Sequence, residues 1–362
     1  MQSSFRRWAT ALVTGLLLTQ PAAQAFDKAV FDNLDYGIYW YSNKSSSIKA
    51  TGGANANFDK TKPTVIYVHG WQKDTTARLY RETYEFLGNP NPTDVTAAWK
   101  AKGYNVGIFY WNQFSDEAEV RDAQAKVWSA TGGQYGMRWR NSSGAYSSPT
   151  AVTKSASQLF YDEYVKAMSG YTGTNVRIAG HSLGNQMAIA VTEKISDAAT
   201  AGTIPAALVP KRVALLDPAY LKADAKWLGG AWAGEKARTA VTKLKTRGII
   251  FETVQTSAAS DSFGLVGDSN AALLKMTAYR EMKPWYFNAL QIAEKHGAAA
   301  WHYFWEYAFN PATIIGSSTV AASSSATDAN TKTLMNSTQK MMHDQGAYTK
   351  TPADDTYKWA NK

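Results

Sequence analysis

The chain of 362 residues contains no cysteine. That excludes disulfides, thiolate nucleophiles and cysteine-ligated metals together. Histidine is scarce, with five in all, and no His and carboxylate cluster at ligand spacing implies a metal or an organic cofactor. The formal net charge is +9, yet no Lys/Arg block is dense enough to expect nucleic acid as a partner. Long apolar runs are missing apart from one near the start, so the remainder is expected to be soluble.

That one run has a specific reading. Arg6 and Arg7 precede an apolar stretch from Trp8 to Thr19, and Ala23-Gln24-Ala25 is a small-residue cleavage site before Phe26. The stretch is too short for a stable bilayer anchor. Residues 1–25 therefore read as a Sec-type export signal, although the paired arginines also admit a twin-arginine route. They carry two Arg and no acid, so their removal leaves +7. Such a balance favours anionic surfaces, phospholipid head groups or a cell envelope among them. The oligomeric state is not set by anything in the sequence.

Past the signal, strand-like and helix-like stretches alternate. Strands are expected at 36–41, 64–68, 106–111, 213–216, 248–254 and 277–282, with one more leading into Ser182. A helix is expected after Asp74, carrying Leu79, Tyr80, Tyr84 and Leu87, and another with Phe160, Tyr164, Val165 and Met168. This alternation predicts an α/β fold, a mostly parallel sheet covered by helices on both faces. One catalytic domain over 26–315 is expected, followed by a Ser/Ala/Thr-rich linker and tail over 316–362. Two insertions, 112–149 and 222–247, follow strand ends and are expected to be binding loops or lids. The second combines Trp227, Leu228 and Trp232 with seven basic residues, which reads as a cap that settles on lipid.

The chain is organised around Gly180-His181-Ser182-Leu183-Gly184. An apolar run ends in this stretch and passes at once into the helical pattern Leu183, Met187, Val191 and Ile195. A Ser at the apex of such a turn is lifted clear of the sheet beside a helix N-terminus, where N–H groups face developing negative charge. A nucleophilic Ser182 needs a base and an acid to orient it. Elimination narrows the base. His181 cannot fold back onto its neighbour, His69 fits an oxyanion loop or substrate contact, and His343 lies in the tail. His296 and His302 remain, with His296 favoured because a loop position lets the imidazole swing to Ser182. For the acid, Asp217 ends the next strand before Pro218; the alternative is Asp261, after the strand 248–254.

Three stretches carry a family resemblance: Val68-His69-Gly70-Trp71, the Gly180–Gly184 turn and Leu216-Asp217-Pro218-Ala219. Together they resemble the α/β-hydrolase lipases, especially the pancreatic-lipase-like family, over roughly residues 60–310. The segment from His296 into Trp301, Tyr303 and Phe304 is similar to that family's catalytic His region. The resemblance implies an α/β-hydrolase fold with cap or lid insertions, and Ser182, Asp217 and His296 as nucleophile, acid and base. It also implies an oxyanion hole from the Trp71 and Leu183 N–H groups, with a lipid or ester substrate and no cofactor. His69, Trp227 and Trp232 are expected at the substrate. The expected protein is a secreted serine esterase or lipase. A phospholipase A1-type enzyme, a serine peptidase or amidase, and a catalytically silent envelope- or glycan-binding protein are the alternatives.

Overall fold

The computed structural model describes residues 26–222, 226–258, 271–317, 323–344 and 350–362. The expected export signal and Asp261 lie outside them. In chain order the strands begin with β1 (Gly37–Tyr41), β2 (Ser47–Lys49), β3 (Thr64–Val68), β4 (Asn105–Tyr110), β5 (Val176–His181) and β6 (Arg212–Leu216). They continue with β7 (Ile250–Gln255), β8 (Ala278–Glu281), β9 (Thr313–Ile314), β10 (Gln339–Asp344) and β11 (Thr356–Asn361). All eleven join one sheet in the order β2-β1-β4-β3-β5-β6-β7-β8-β10-β11-β9. From β4 across to β10 every neighbouring pair is parallel. Strands β3, β4, β6 and β7 are buried at every residue, which is why they read as continuous apolar runs.

The longer described helices are α1 (Val95–Ala101), α2 (Val120–Trp128), α3 (Ala156–Ala167) and α4 (Gly184–Thr200). After them come α5 (Ala233–Thr246), α6 (Ile292–Trp305) and α7 (Asp328–Asn336). Helices α2 to α5 pack as one layer, with α1, α6 and α7 on the other face. The helix ends follow local chemistry. The Asp94 carboxylate caps α1 by accepting from Ala97 N at 3.0 Å, and Ser155 caps α3 from the Gln158 N–H. Beyond α3, Gly170 takes φ +70°, a turn that a side chain would strain. The strand order, the antiparallel β1 and the sharp turn between β5 and α4 make this an α/β-hydrolase fold.

Four expectations are corrected here. Residues 74–88 form no helix; Asp74, Leu79 and Phe86 instead sit at positive φ. Long-range bonds hold this stretch open. Asp116 accepts from the Asp74 and Thr76 N–H groups, Arg81 reaches Asp35, and the Tyr84 hydroxyl donates to Gly107 O. Second, residues 323–344 and 350–362 are not a tail, because β10 and β11 extend the sheet and α7 packs on β7 and β8. The Arg212 guanidinium donates to Ser323 O and Ala326 O at 2.7 and 2.8 Å, and Arg177 donates to Ser324 O. The same arginines belong to a buried network in which Arg212 meets Glu252 at 2.9 Å and Arg280 meets Glu252 and Glu306.

Third, the 112–149 insertion is not loop throughout: it holds a short helical turn at Asn112–Ser115 and α2, and it is anchored by buried charge. Glu117, fully buried, pairs with Lys126 and Arg138 at 2.6 and 2.5 Å. Fourth, residues 233–246 of the second insertion form a packed helix, α5, rather than a loop. Ala233, Ala237, Ala240, Val241 and Leu244 recur at helical spacing, and that face of α5 packs on α4 and β7. Trp227 lies over Gly132, where a Cβ would come within 3.0 Å of its ring, and Trp232 packs on Arg238.

Candidate active site

Register brings the strand ends level. Val68 pairs with Gly180, His181 with Leu216, and Leu216 with Val254. The residues that follow β3, β5, β6 and β7 therefore share one edge of the sheet, the carboxyl edge where open α/β sheets bind ligands.

Ser182 occupies the turn after β5 with φ +56°. Its tight geometry explains the flanking glycines. A Cβ on Gly180 would sit 2.1 Å from Gly184 O, and one on Gly184 would sit 2.2 Å from Val68 O. Neither contact can be relieved without moving backbone. The turn is fastened to β6: Ser182 N donates to Leu216 O at 3.1 Å, and Asn185 Nδ2 donates to Ser182 O and Leu216 O. Directly behind it, the N-terminus of the 17-residue α4 favours negative charge at the apex.

The loop after β3 approaches the same point. A Cβ on Gly70 would lie 2.6 Å from Ser182 Cβ and 3.2 Å from Leu183 N, so only glycine fits. His69, expected near the substrate, is fully buried and does other work. Its Nδ1–H donates to Gly70 O at 2.9 Å, and its Nε2 accepts from Trp111 N at 3.3 Å. In a trans peptide the carbonyl and the next N–H point opposite ways, so holding Gly70 O toward His69 turns the Trp71 N–H outward. Among the described residues, neither the Trp71 nor the Leu183 N–H has a protein acceptor. The Trp71 indole donates to Glu117 O at 2.7 Å and anchors the loop to the first insertion.

Asp217, fully buried after β6 with φ +43°, is held on both oxygens. Oδ1 accepts from Thr256 N and Ser257 N at 3.0 and 3.2 Å; Oδ2 accepts from the Ser257 hydroxyl. His296 Nδ1–H donates to the same Oδ2 at 2.5 Å. That bond fixes the tautomer and leaves Nε2 as the free lone pair. His296 is not on a loop: it lies inside α6, one turn from its start. Its position is fixed by packing, because His181 Nε2–H donates to His296 O at 2.9 Å with the rings 4.6 Å apart. Among the described residues Ser182 Oγ forms no hydrogen bond.

The structure thus brings Ser182, Asp217, His296 and the Trp71 and Leu183 N–H groups to one edge. His302 points elsewhere, its buried Nε2 bonded to the Tyr286 hydroxyl at 2.8 Å. Trp227 and Trp232, both half-buried, do not line the cleft beside His181. Two participants escape the sequence reading: His181, set aside as the neighbour of Ser182, and Ser257, which nothing in the sequence singles out.

Burial pushes the imidazoles of His69, His181 and His302 down to about 3. They stay neutral when folded, whereas an unfolded chain takes up protons near pH 6.5. Between these limits the unfolded state binds more protons, so stability is lost as pH falls below about 6.5. Each histidine contributes about 1.4 kcal/mol per pH unit. Urea unfolding at about pH 7.5 and 5.5 should show a lower midpoint in acid, and His302→Phe should flatten the dependence. Equal midpoints for the unaltered chain would overturn this reading.

No protein-family model matches the chain, and no curated protein matches it. Solved structures do. An inhibited esterase B from Lactobacillus rhamnosis is 13% identical, with 85% of this chain and 95% of that one covered at a TM-score of 0.34. A membrane phospholipase A described as a bacterial virulence factor is 12% identical, covering 78% and 84% at 0.29. A CIB-like hydrolase from Thermoplasma acidophilum is 14% identical at 0.27, and the alignment spans 54% of this chain and 63% of that one. Likeness this distant carries nothing about substrate, and the site stands on its own geometry.

Proposed function

We propose that the protein is an exported serine hydrolase of carboxylic esters, of the lipase or esterase type, released by cleavage after residue 25. One observation carries the reading: the His296–Asp217 pair shares the sheet edge with a serine on a strained turn flanked by two unpaired N–H groups. In this mechanism Ser182 Oγ attacks the ester carbonyl carbon while His296 Nε2 takes its proton. The tetrahedral oxyanion rests on the Trp71 and Leu183 N–H groups, beside the positive end of α4. Asp217 stabilises the imidazolium, which then protonates the departing alcohol. A water, deprotonated by the same Nε2, attacks the acyl-serine; Ser182 leaves with the proton and the acid is released. The Ser182–His296 hydrogen bond is the one link still to close, and such bonds tighten when substrate binds.

The basic balance of the mature chain supports substrates presented on anionic surfaces. A fluorophosphonate should label the folded protein, with hydrolysis then compared across short-chain esters, long-chain triacylglycerols, phospholipids and peptide amides. Activity confined to amides would transfer the chemistry to a peptidase. A folded chain that takes no label and cleaves none of these would make it a binding protein.

A further inference from the structure

Beside the Ser182 edge, a cleft of about 120 Å³ separates the 71–88 stretch from α6. Its helix wall is Ala293, Gly297, Ala300 and Trp301, positions on either side of His296 in sequence, and His181 also lines it. Phe86 and Leu87 make much of the opposite wall apolar, with Lys73 and Glu294 both in the lining. Gln72, Thr75 and Tyr80 add polar groups to the lining, and with them comes the carboxylic acid Glu82.

Glu82 is held in place rather than stranded. Oε1 accepts from the Tyr67 hydroxyl and Oε2 from Gln72 Nε2 at 2.9 Å. Tyr110 fixes the backbone by donating to Glu82 O at 2.8 Å. Two donors occupy two of about four acceptor positions on a carboxylate. Gln72 directly follows Trp71, so this carboxyl is tied to the loop whose N–H is proposed to receive the oxyanion.

We propose that the cleft receives the leaving alcohol of the substrate and that Glu82 favours alcohols bearing a second hydroxyl over plain alkyl alcohols. The inference rests on the ester-hydrolase reading. It follows from position, because the cleft runs along the helix that carries the proton donor to the leaving oxygen. A plain alkyl group pushed against Glu82 strips water from its remaining lone pairs and returns nothing. A hydroxyl replaces that water. Sites built to bond a hydroxyl discriminate strongly against analogues lacking it.

The test compares 4-hydroxybutyl butanoate with butyl butanoate. The readout is the ratio of the two kcat/KM values, which cancels any loss of active protein. A ratio of about tenfold or more favouring the hydroxyl ester is expected in the unaltered chain, falling to about one in Glu82→Leu. A ratio near one in the unaltered chain, or one that survives Glu82→Leu, overturns the proposal and leaves ester hydrolysis standing. Should Glu82→Leu fail to fold, Ala293→Leu, which fills the cleft from α6, must lower the ratio. If no ester is cleaved at all, the hydrolase reading fails separately. Ligand-observed NMR on Ser182→Ala then decides the cleft: 1,4-butanediol must bind in preference to 1-butanol, and the preference must vanish in Ser182→Ala/Glu82→Leu. Equal binding of the two alcohols, or none, overturns the cleft assignment.

Discussion

Ser182→Ala is expected to lower the turnover of a soluble ester by several orders of magnitude and leave the urea midpoint nearly unchanged. The proposed attack has no other oxygen at the turn apex, and residual rate would come only from oxyanion binding. Stability should hold because Ala keeps the Cβ that makes φ +56° costly, while the Ser182 hydroxyl bonds to nothing among the described residues. His296→Ala should be about as damaging, since members of such a set act as a unit. Asp217→Asn should cost about 10⁴ by presenting an amide where His296 Nδ1–H needs an acceptor. His302→Ala is the contrast, with turnover kept near that of the unaltered chain. Ser182→Ala activity within tenfold of the unaltered chain would remove the proposed mechanism.

The second large effect is on stability. Glu252→Leu should destabilise the fold by about 3–5 kcal/mol, because it leaves buried guanidiniums without their counter-charge. Glu252 is fully buried between Arg212 and Arg280. Burial alone would raise its pKa, but the two guanidiniums outweigh that and hold it below the usual value. Replacing Arg212, Glu252 and Arg280 together by apolar residues should cost much less than the single change, the usual behaviour of buried ion networks. Urea unfolding of the single and triple variants decides it; a single variant within 1 kcal/mol of the unaltered chain would mean that the network is open to water.

The parallel strands were legible because both their faces are buried, which leaves nearly unbroken apolar runs such as Thr64–Val68. The Gly180–Gly184 turn was legible because backbone contacts at 2.1 and 2.2 Å permit no other residue type at its ends. The stretch 74–88 misled because Leu79, Tyr80, Tyr84 and Leu87 have helical spacing, while Asp116 and Asp35, which overrule it, are distant in sequence. The same holds for Ser323–Ala326. Ser and Ala carry no period, and the arginines that bind their carbonyls lie more than a hundred residues earlier. His296 meets Asp217 from within a helix, not from the loop that the sequence suggests. Three alanines and an aromatic run already belonged to the helix, and Gly297 masked its beginning. The second insertion reads as a cap from its basic and Trp content, while the spacing of Ala233, Ala237, Ala240, Val241 and Leu244 is that of the packed helix the structure shows.

The rims of the sheet have their own consequence. A strand edge exposes unpaired N–H and C=O groups that another chain can join. Here one rim is β2, three residues long, and the other is β9, only two. Beyond β9, the open length of β11 presents Lys358, a residue type that discourages pairing. Among the described residues, folded copies are thus offered only short backbone templates, three residues of β2 on one side and the last part of β11 on the other. Strand addition between folded molecules has little length to grip, so an unfolded molecule is the better template for fibre growth.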